Sequence, residues 1–163
     1  SIGHRNPQGL FFDKENNILL ETEHGPKGGD EINLIPFEQV KSSKILNYGW
    51  AIVSAGEHYV VTEEKIKKYP LYKSHEKYGF IEPLRSFVPS IGISEITKIG
   101  PKKYVVGSMR DKSIYFFELN ENKKIINLER VEVYERVRDL TFHKNILYLF
   151  LENSSSIGLI EIK

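Results

Sequence analysis

The stretch at residues 94–119, SEITKIGPKKYVVGSMRDKSIYFFEL, contains three β-rich segments joined by two tight turns. Strands are predicted at residues 94–99, Lys103–Ser108 and Ser113–Leu119, where Ile, Val, Tyr and Phe are concentrated. Gly, Pro, Lys and Asp separate these segments, as is typical of turns. We therefore expect three consecutive strands here.

The same arrangement recurs on both sides of this stretch. Short sets of strands are predicted at 9–12, 17–23 and 31–36, and again at 139–142, 146–151 and 157–162. Further strands at 48–53, 83–88 and 125–134 make twelve. The last two copies begin 45 residues apart, at Ser94 and Asp139, close to the ~40–45 residues of a propeller blade. The sequence predicts an all-β fold, a β-propeller with about three four-stranded antiparallel blades. A β-sandwich with evenly spaced strands is the alternative.

The first copy is interrupted by a long insertion at about residues 37–85, which is rich in Lys and Tyr between Lys65 and Tyr78. Insertions of this length carry function or are disordered. Its aromatic residues either stack on a sugar or cofactor or pack between blades; they are Tyr48, Trp50, Tyr59, Tyr69, Tyr72 and Tyr78.

Composition and charge limit the classes of function that the chain is expected to have. The 163 residues carry a net charge of +1 and contain no cysteine, so neither a broad cationic surface for nucleic acid nor a disulfide framework is expected. No apolar run approaches the ~20 residues that span a bilayer. We find no nucleophile elbow, phosphate-binding glycine loop or paired metal-binding histidines.

Three polar clusters are candidate sites. Arg5 and Asn6 precede Pro7, which favours an extended loop; they suit an anionic or carbonyl-rich ligand, unless Arg5 pairs with a neighbouring blade. The second cluster, at residues 22–33, has glycines and Pro26 that shape a compact loop, with Asp30 and Glu31 as possible carboxylate ligands. Such oxygen donors favour calcium, although most turns of this kind bind nothing, and a lone His24 is more typical of a hydrogen-bonded structural residue.

The third cluster is Arg136–Asp139, where strand alternation would place Arg136 and Arg138 on one face. Two such cations fit a multiply charged anion, and a surface ion-pair ladder is the alternative. Arg110 occupies the matching place one blade earlier. We expect these arginines and Arg5 to converge on one end of a propeller axis.

Several motifs resemble the glucose/sorbosone dehydrogenase family of soluble aldose dehydrogenases that depend on pyrroloquinoline quinone (PQQ). They are GHRNPQGL at 3–10, TEHGPKGGDEINLI at 22–35, NYGW at 47–50, VGSMR at 106–110 and RVRD at 136–139. Their order matches the family across essentially the whole chain. The resemblance implies that residues 1–163 are the C-terminal part of a single six-bladed propeller domain, about three blades of the ring.

The resemblance also implies roles for individual residues. Cofactor contacts are implied for Arg5, Asn6, His24, Ser90, Arg110, Arg136 and Arg138. Carbonyl oxygens of Gly25 and Pro26 match ligands of the calcium that polarises PQQ, and Glu31 and Tyr48 resemble backbone ligands of a further calcium. The segment Gly92–Ser94 departs from the family's usual Ala-Pro-Ser run, and Val88 stands near a usual tryptophan.

No catalytic residue is assigned within the chain, because the family's general-base histidine lies before the GHRN motif and is expected upstream of Ser1. The implied activity is oxidation of an aldose at its C1 hydroxyl, with hydride transfer to PQQ and an external electron acceptor. A non-catalytic extracellular interaction module is the alternative. The expected location is periplasmic or secreted, and we expect neither turnover nor tight PQQ binding without the N-terminal half of the propeller, since a half ring exposes two blade faces.

Overall fold

The strands form three antiparallel sheets in a computed structural model that describes residues 1–40, 42–59 and 62–163. Sheet 1 contains β1 (Pro7–Asp13), β2 (Ile18–Glu23), β3 (Asp30–Pro36) and β4 (Arg85–Phe87). Sheet 2 contains β5 (Ile93–Gly100), β6 (Lys103–Ser108), β7 (Ser113–Leu119) and β8 (Ile125–Glu132). Sheet 3 contains β9 (Val137–His143), β10 (Ile146–Leu151) and β11 (Ser156–Glu161). Within each sheet the strands pair in chain order.

The sheets stack face to face because sheet 2 buries both of its faces. Along β6, alternate side chains point to opposite faces: Tyr104 and Val106 lie in a core shared with sheet 1, whereas Val105 lies in a core shared with sheet 3. Leu20 and Ile32 complete the first core from sheet 1. Each fully buried side chain of this size contributes about 1.5–3 kcal/mol relative to exposure. Three stacked meanders are the blades of a propeller. The propeller prediction is therefore confirmed, and the alternative of a two-layer sandwich does not apply.

Side-chain to backbone hydrogen bonds also join neighbouring blades. The Thr22 hydroxyl on β2 donates to the carbonyl oxygen of Ser94 at 2.6 Å, and the Ser94 hydroxyl donates to that of Val137 at 2.7 Å. Gly107 is required beside this contact, since a Cβ there would lie 2.5 Å from Ser94 Oγ. These bonds hold the three sheets together at the end where the candidate site residues lie.

One predicted strand is wrong. Residues 48–53 form a turn rather than a strand, because the backbone N–H groups of Tyr48 and Trp50 donate to the carbonyl oxygens of Ile2 and Gly3, each at 2.9 Å. Gly49 has φ +93°, which breaks extended structure. The described chain therefore has eleven strands instead of twelve. The predicted strands at 83–88 and 125–134 are shorter, as β4 and β8.

The insertion lies between β3 and β4. It contains α1 (Phe37–Val40), α2 (Glu63–Lys68) and a 3-10 turn at Glu76–Tyr78. Isolated bridges at Ile2–Asn47 and Lys27–Glu57 attach it to the loops of sheet 1. None of the helices in the described ranges is long and apolar enough to cross a membrane.

Candidate functional site

The Arg5–Asn6 pair is anchored to the end of β2. Arg5 Nη1 donates to the His24 carbonyl oxygen at 2.9 Å, and the His24 N–H donates to the Asn6 carbonyl oxygen at 3.0 Å. The backbone N–H groups of Arg5 and Asn6 both donate to Glu23 Oε2. Pro7 then begins β1. Backbone atoms and the Glu23 carboxylate thus set the position of the pair, and Nη1 is the one guanidinium nitrogen with a hydrogen-bond partner among the described residues.

Two aromatic residues of the insertion lie over Arg5. Its guanidinium carbon is 5.3 Å from the ring centroid of Trp50 and 5.9 Å from that of Tyr59, within the range of a cation–π contact. The sequence singled out these rings without linking them to Arg5. That link depends on Gly3, where a Cβ would lie only 2.5 Å from the backbone N of Gly49. This close approach brings the insertion to the site.

The loop at residues 25–29 offers oxygen donors for a cation. Gly25 and Pro26 are buried, and no backbone N–H of the described residues donates to either carbonyl oxygen. Gly25 is required by the tight curl, because a Cβ there would lie 2.1 Å from the Gly29 carbonyl oxygen. A cavity of about 10 Å³ lies beside the loop, and its lining includes Gly25, Glu31 and Tyr48. Carbonyl oxygens that accept no hydrogen bond from the described residues, one of them on Gly25 beside this cavity, fit a hard cation such as calcium.

Asp30 fixes the next segment of the site. Its side chain is fully buried, and its Oδ2 accepts hydrogen bonds from Ser90 Oγ at 2.7 Å, from the Gly92 N–H at 2.7 Å and from the Ile93 N–H at 3.1 Å. His24 Nε2 lies 2.6 Å from the Ile93 carbonyl oxygen. The turn at 90–93 therefore connects Asp30 and His24. It occupies Oδ2 of the carboxylate expected as a cation ligand, whereas Oδ1 is buried with no hydrogen-bond partner among the described residues.

Gly92 explains the departure from the family pattern in this turn. It has φ +65°, and a Cβ there would lie 2.8 Å from the backbone N of Arg110. The Arg110 N–H donates to the Ile91 carbonyl oxygen at 2.9 Å, and the Met109 N–H to that of Gly92 at 2.7 Å. The turn between β4 and β5 thus directly supports the exposed Arg110 in the loop between β6 and β7.

Arg136 and Arg138 share one acidic partner. Arg136 Nε and Arg138 Nη2 donate to Glu152 Oε2 at 3.1 Å and 2.9 Å, and these two bonds lower the pKa of Glu152. Arg136 Nη2 also lies 3.8 Å from Met109 Sδ, next to Arg110. The expected proximity of the two arginines is present, and so is the surface ion pairing that was its alternative.

Buried acids lie behind Arg5, on a face of β2 that sequence inspection missed. Glu21 and Glu23 lie on one face of the strand, opposite Asn33 and Glu31 of β3. Burial, followed by the charge of Glu23, raises the pKa of Glu21 to about 7 and that of Glu31 to about 8. Period-two alternation places Glu21 and Glu23 on the same face of β2, and this is visible in the sequence. Their burial is not, because it depends on both faces of β2 being covered.

His75 of the insertion lies against these acids. Its side chain is buried, with Nε2 3.8 Å from Glu31 Oε1 and Nδ1 3.3 Å from Glu82 Oε2. Burial lowers the pKa of His75. His58 is partly buried, with Nε2 2.8 Å from the Tyr69 carbonyl oxygen. Neither histidine is positioned beside Arg5 by a described contact.

These motifs and their order agree with a comparison against known families. The family model described as Glucose / Sorbosone dehydrogenase matches residues 1–160. The chain belongs to this family. It is 32% identical to an uncharacterised protein of Synechocystis over 147 residues, which is 86% of the chain and 32% of that protein.

Two named relatives also match this glucose/sorbosone dehydrogenase chain. It is 29% identical to an aldose sugar dehydrogenase of Escherichia coli, over 95% of the chain and 41% of that protein. It is 52% identical to quinoprotein glucose dehydrogenase B of Acinetobacter calcoaceticus over 54 residues, 33% of the chain and 10% of that protein. The crystal structure of the soluble Escherichia coli aldose sugar dehydrogenase in its apo-form superposes with a TM-score of 0.76 and 29% identity, covering 96% of the chain and 44% of that structure. The chain spans less than half the length of these relatives.

Proposed function

We propose that residues 1–163 form part of a PQQ- and calcium-dependent aldose dehydrogenase that oxidises the C1 hydroxyl of a sugar. Family membership and the names of the relatives support sugar dehydrogenase chemistry. The observation that carries the proposal is the arrangement of Arg5, His24 and the carbonyls of Gly25 and Pro26 at one blade end, where no backbone N–H of the described residues donates to either carbonyl. A planar cation next to oxygen donors suits an anionic quinone bound together with a cation.

The quinone carboxylates would be held by the cationic and polar residues of the site, which are Arg5, Asn6, His24, Ser90, Arg110, Arg136 and Arg138. Arg5 is oriented by the His24 carbonyl and by the rings of Trp50 and Tyr59. Because these contacts already restrict the Arg5 side chain, it loses less rotamer freedom when a ligand binds. Arg110 makes no ion pair with any residue the structure describes, so its full charge is available, whereas the Glu152 carboxylate partly neutralises Arg136 and Arg138.

Calcium would be bound by the carbonyl oxygens of Gly25 and Pro26, with a further calcium at Glu31 and Tyr48 beside the small cavity. When bound, PQQ with its calcium supplies a polarised carbonyl that accepts hydride. The residues of this chain bind and orient: Arg5 and Arg110 fix carboxylates, and Trp50 and Tyr59 keep water from one side of Arg5. The proton of the sugar hydroxyl would go to a base outside residues 1–163.

The remaining parts of the proposal concern the whole protein. Residues 1–163 would form three blades of a six-bladed ring whose other blades carry the base, and the 163-residue chain alone would be inactive. An external electron acceptor would reoxidise the cofactor. The proposed location, periplasmic or secreted, rests on the family resemblance.

The test uses the full-length polypeptide, loaded with PQQ and Ca²⁺ and assayed with aldoses and an artificial electron acceptor. We expect oxidation that requires both additions. Arg5→Lys keeps the charge but removes the planar fork, so PQQ affinity should fall at least tenfold. Arg85→Lys, at an exposed arginine on β4, is the matched control and should leave affinity within twofold. Absence of PQQ-dependent oxidation in the full-length polypeptide would overturn the enzyme proposal and favour the non-catalytic interaction module.

A further inference from the structure

His4, Glu21 and Glu23 bring three metal-ligating side chains together on one side of β2. The Nδ1 atom of His4 lies 3.7 Å from Glu21 Oε2 and 3.6 Å from Glu23 Oε1. One ligand atom from each residue lies within 4.8 Å of the other two. His4 comes from the segment before β1, whereas the two glutamates are alternate residues of β2. Two separate segments therefore surround one point.

The cluster is buried, and its hydrogen bonding is incomplete within the described ranges. Glu21 and Glu23 are only 4% and 3% exposed. Asn33 Nδ2 donates to Glu21 Oε2 and to Glu23 Oε1, both at 3.0 Å. Glu21 Oε1 and His4 Nδ1 are buried without a partner. Since nearly all buried polar atoms have partners, an acid oxygen and a ring nitrogen left unpaired within one cluster point to a ligand that these side chains can bind.

The imidazole of His4 is held in the orientation that a metal ligand needs. Its Nε2 lies 2.9 Å from Ser1 Oγ, and its ring stacks on Tyr48 with centroids 4.6 Å apart. These contacts direct Nδ1 towards the two carboxylates. Metal-ligating histidines are commonly fixed by a hydrogen bond at the other ring nitrogen.

The number of acidic side chains in the cluster also favours a cation. Glu31 pairs with Glu23 across the β2–β3 ladder, so three glutamates lie together in the interior. The Arg5 guanidinium does not compensate them, because it faces the His24 carbonyl and the aromatic rings. Buried carboxylates of this kind are stabilised by pairing with a cation or a metal ion.

The geometry and the donor set select the class of ion. Two ligands about 2.1 Å from one ion and separated by 3.6 or 3.7 Å subtend about 120° at the ion, an angle close to that of a tetrahedral zinc site. One imidazole nitrogen with two carboxylate oxygens suits a zinc-class ion, whereas calcium takes oxygen ligands.

We propose that His4, Glu21 and Glu23 bind one divalent transition-metal ion of the zinc class, separate from the calcium positions proposed above. Glu23 Oε2 accepts the backbone N–H groups of Arg5 and Asn6. An ion bound to Glu23 therefore ties the Arg5–Asn6 segment to β2. Its role is structural, and its binding requires no quinone.

The experiment titrates Zn²⁺ into the full-length polypeptide, previously treated with a chelator, in the presence of excess Ca²⁺, by calorimetry. Co²⁺ serves as a spectroscopic probe of nitrogen and oxygen ligation. We expect the parent protein to bind one Zn²⁺ per chain at this cluster. In Glu21→Gln and in His4→Gln this binding should be lost, or its affinity should fall at least tenfold. His143→Gln changes an exposed histidine on β9 and is the matched control, with unchanged Zn²⁺ binding.

A second measurement separates metal binding from folding. Zn²⁺ should raise the thermal midpoint of the parent protein and of His143→Gln, but not that of Glu21→Gln, with the metal-free variants showing parent-like circular dichroism. His4→Gln, at a partly exposed position, replaces Glu21→Gln if the latter does not fold. The proposal is wrong if the parent protein binds no Zn²⁺, if both variants bind it as the parent does, or if Ca²⁺ displaces it with equal affinity.

Discussion

Tyr104 on β6 donates a 2.6 Å hydrogen bond to the carboxylate of Asp13 at the end of β1, joining sheet 1 to sheet 2. Asn16 Nδ2 and Lys98 Nζ contact the same carboxylate at 2.7 and 3.0 Å. Burial alone would raise the pKa of Asp13, but the hydrogen bonds from Tyr104, Asn16 and Lys98 outweigh it and lower the pKa to about 2. The ionised carboxylate is thus a stabilising contact between blades.

Replacing Asp13 should expose this contribution through its pH dependence. Because the folded-state pKa is depressed, the stabilisation is fully present above about pH 4, the ordinary range of the group, and is lost as the pH falls through about 2. Asp13→Asn should lower the free energy of unfolding by about 1 to 2 kcal/mol at neutral pH, with solvent screening included. Denaturant unfolding of both proteins from pH 7 to 2 measures the difference, which should shrink below pH 4. Glu15→Gln, at the exposed partner of Lys98, should show little effect; a pH-independent loss in Asp13→Asn would contradict the assignment.

The contact between Ser94 and Gly107 predicts a non-additive pair of substitutions. Gly107→Ala places a Cβ 2.5 Å from Ser94 Oγ and 3.0 Å from Val137 Cγ1, so it should cost about 1–3 kcal/mol of unfolding free energy by overpacking. Ser94→Ala removes the hydroxyl that bonds to the Val137 carbonyl and should cost about 1 kcal/mol. The double variant should be more stable than the sum of the two losses predicts, as a double-mutant cycle would show. Strict additivity would mean that the clash is relieved elsewhere.

Asp30 should be essential for the turn that carries Ser90. Asp30→Asn replaces a charged acceptor of three hydrogen bonds by a neutral amide, and we expect a loss of about 1–3 kcal/mol of unfolding free energy. The exposed Asp139, which bonds only to its neighbour's N–H within the described residues, offers the control Asp139→Asn. Equal losses in the two variants would show that the turn does not depend on the Asp30 charge.

Glu152 should compete with an anionic ligand for Arg136 and Arg138. Glu152→Gln removes the shared acceptor charge, so the affinity for PQQ, measured by fluorescence titration of the full-length polypeptide, should increase severalfold. Glu161→Gln on β11 is a suitable control with no expected change. The thermal midpoint should stay nearly constant in both, because exposed ion pairs contribute little stability. Weaker binding in Glu152→Gln would show that Glu152 positions the arginines instead of masking them.

Local sequence patterns predicted most of the β-strands, because segments such as Lys103–Ser108 are rich in β-branched and aromatic residues. The interrupted repeat also predicted an insertion at about residues 37–85. The strand at 48–53 failed because its backbone pairs with Ile2 and Gly3, more than 40 residues away in sequence. No local signal records such a pairing.

In the candidate site, too, local features could be predicted from the sequence and contacts between distant segments could not. Arg5 and Asn6 stood out because Pro7 follows them, but the rings over Arg5 come from a distant segment. The Arg136–Arg138 pattern fits both an anion site and an ion-pair ladder, and the ion pairs with Glu152 depend on the folding of a distant strand end. The buried Glu21 was readable from alternation, yet burial of both faces of β2 is a tertiary property.

The insertion is attached to the blade loops through main-chain atoms. The bridges Ile2–Asn47 and Lys27–Glu57 use backbone N–H and carbonyl groups, which every residue except proline can provide. The side chains of Trp50, between Asn47 and Glu57, and of Tyr59, just beyond Glu57, take no part in these bridges, so substitutions there should leave the course of the loop unchanged. Substitution at these two rings would change what covers the Arg5 guanidinium without changing how the insertion is attached to the loops of sheet 1.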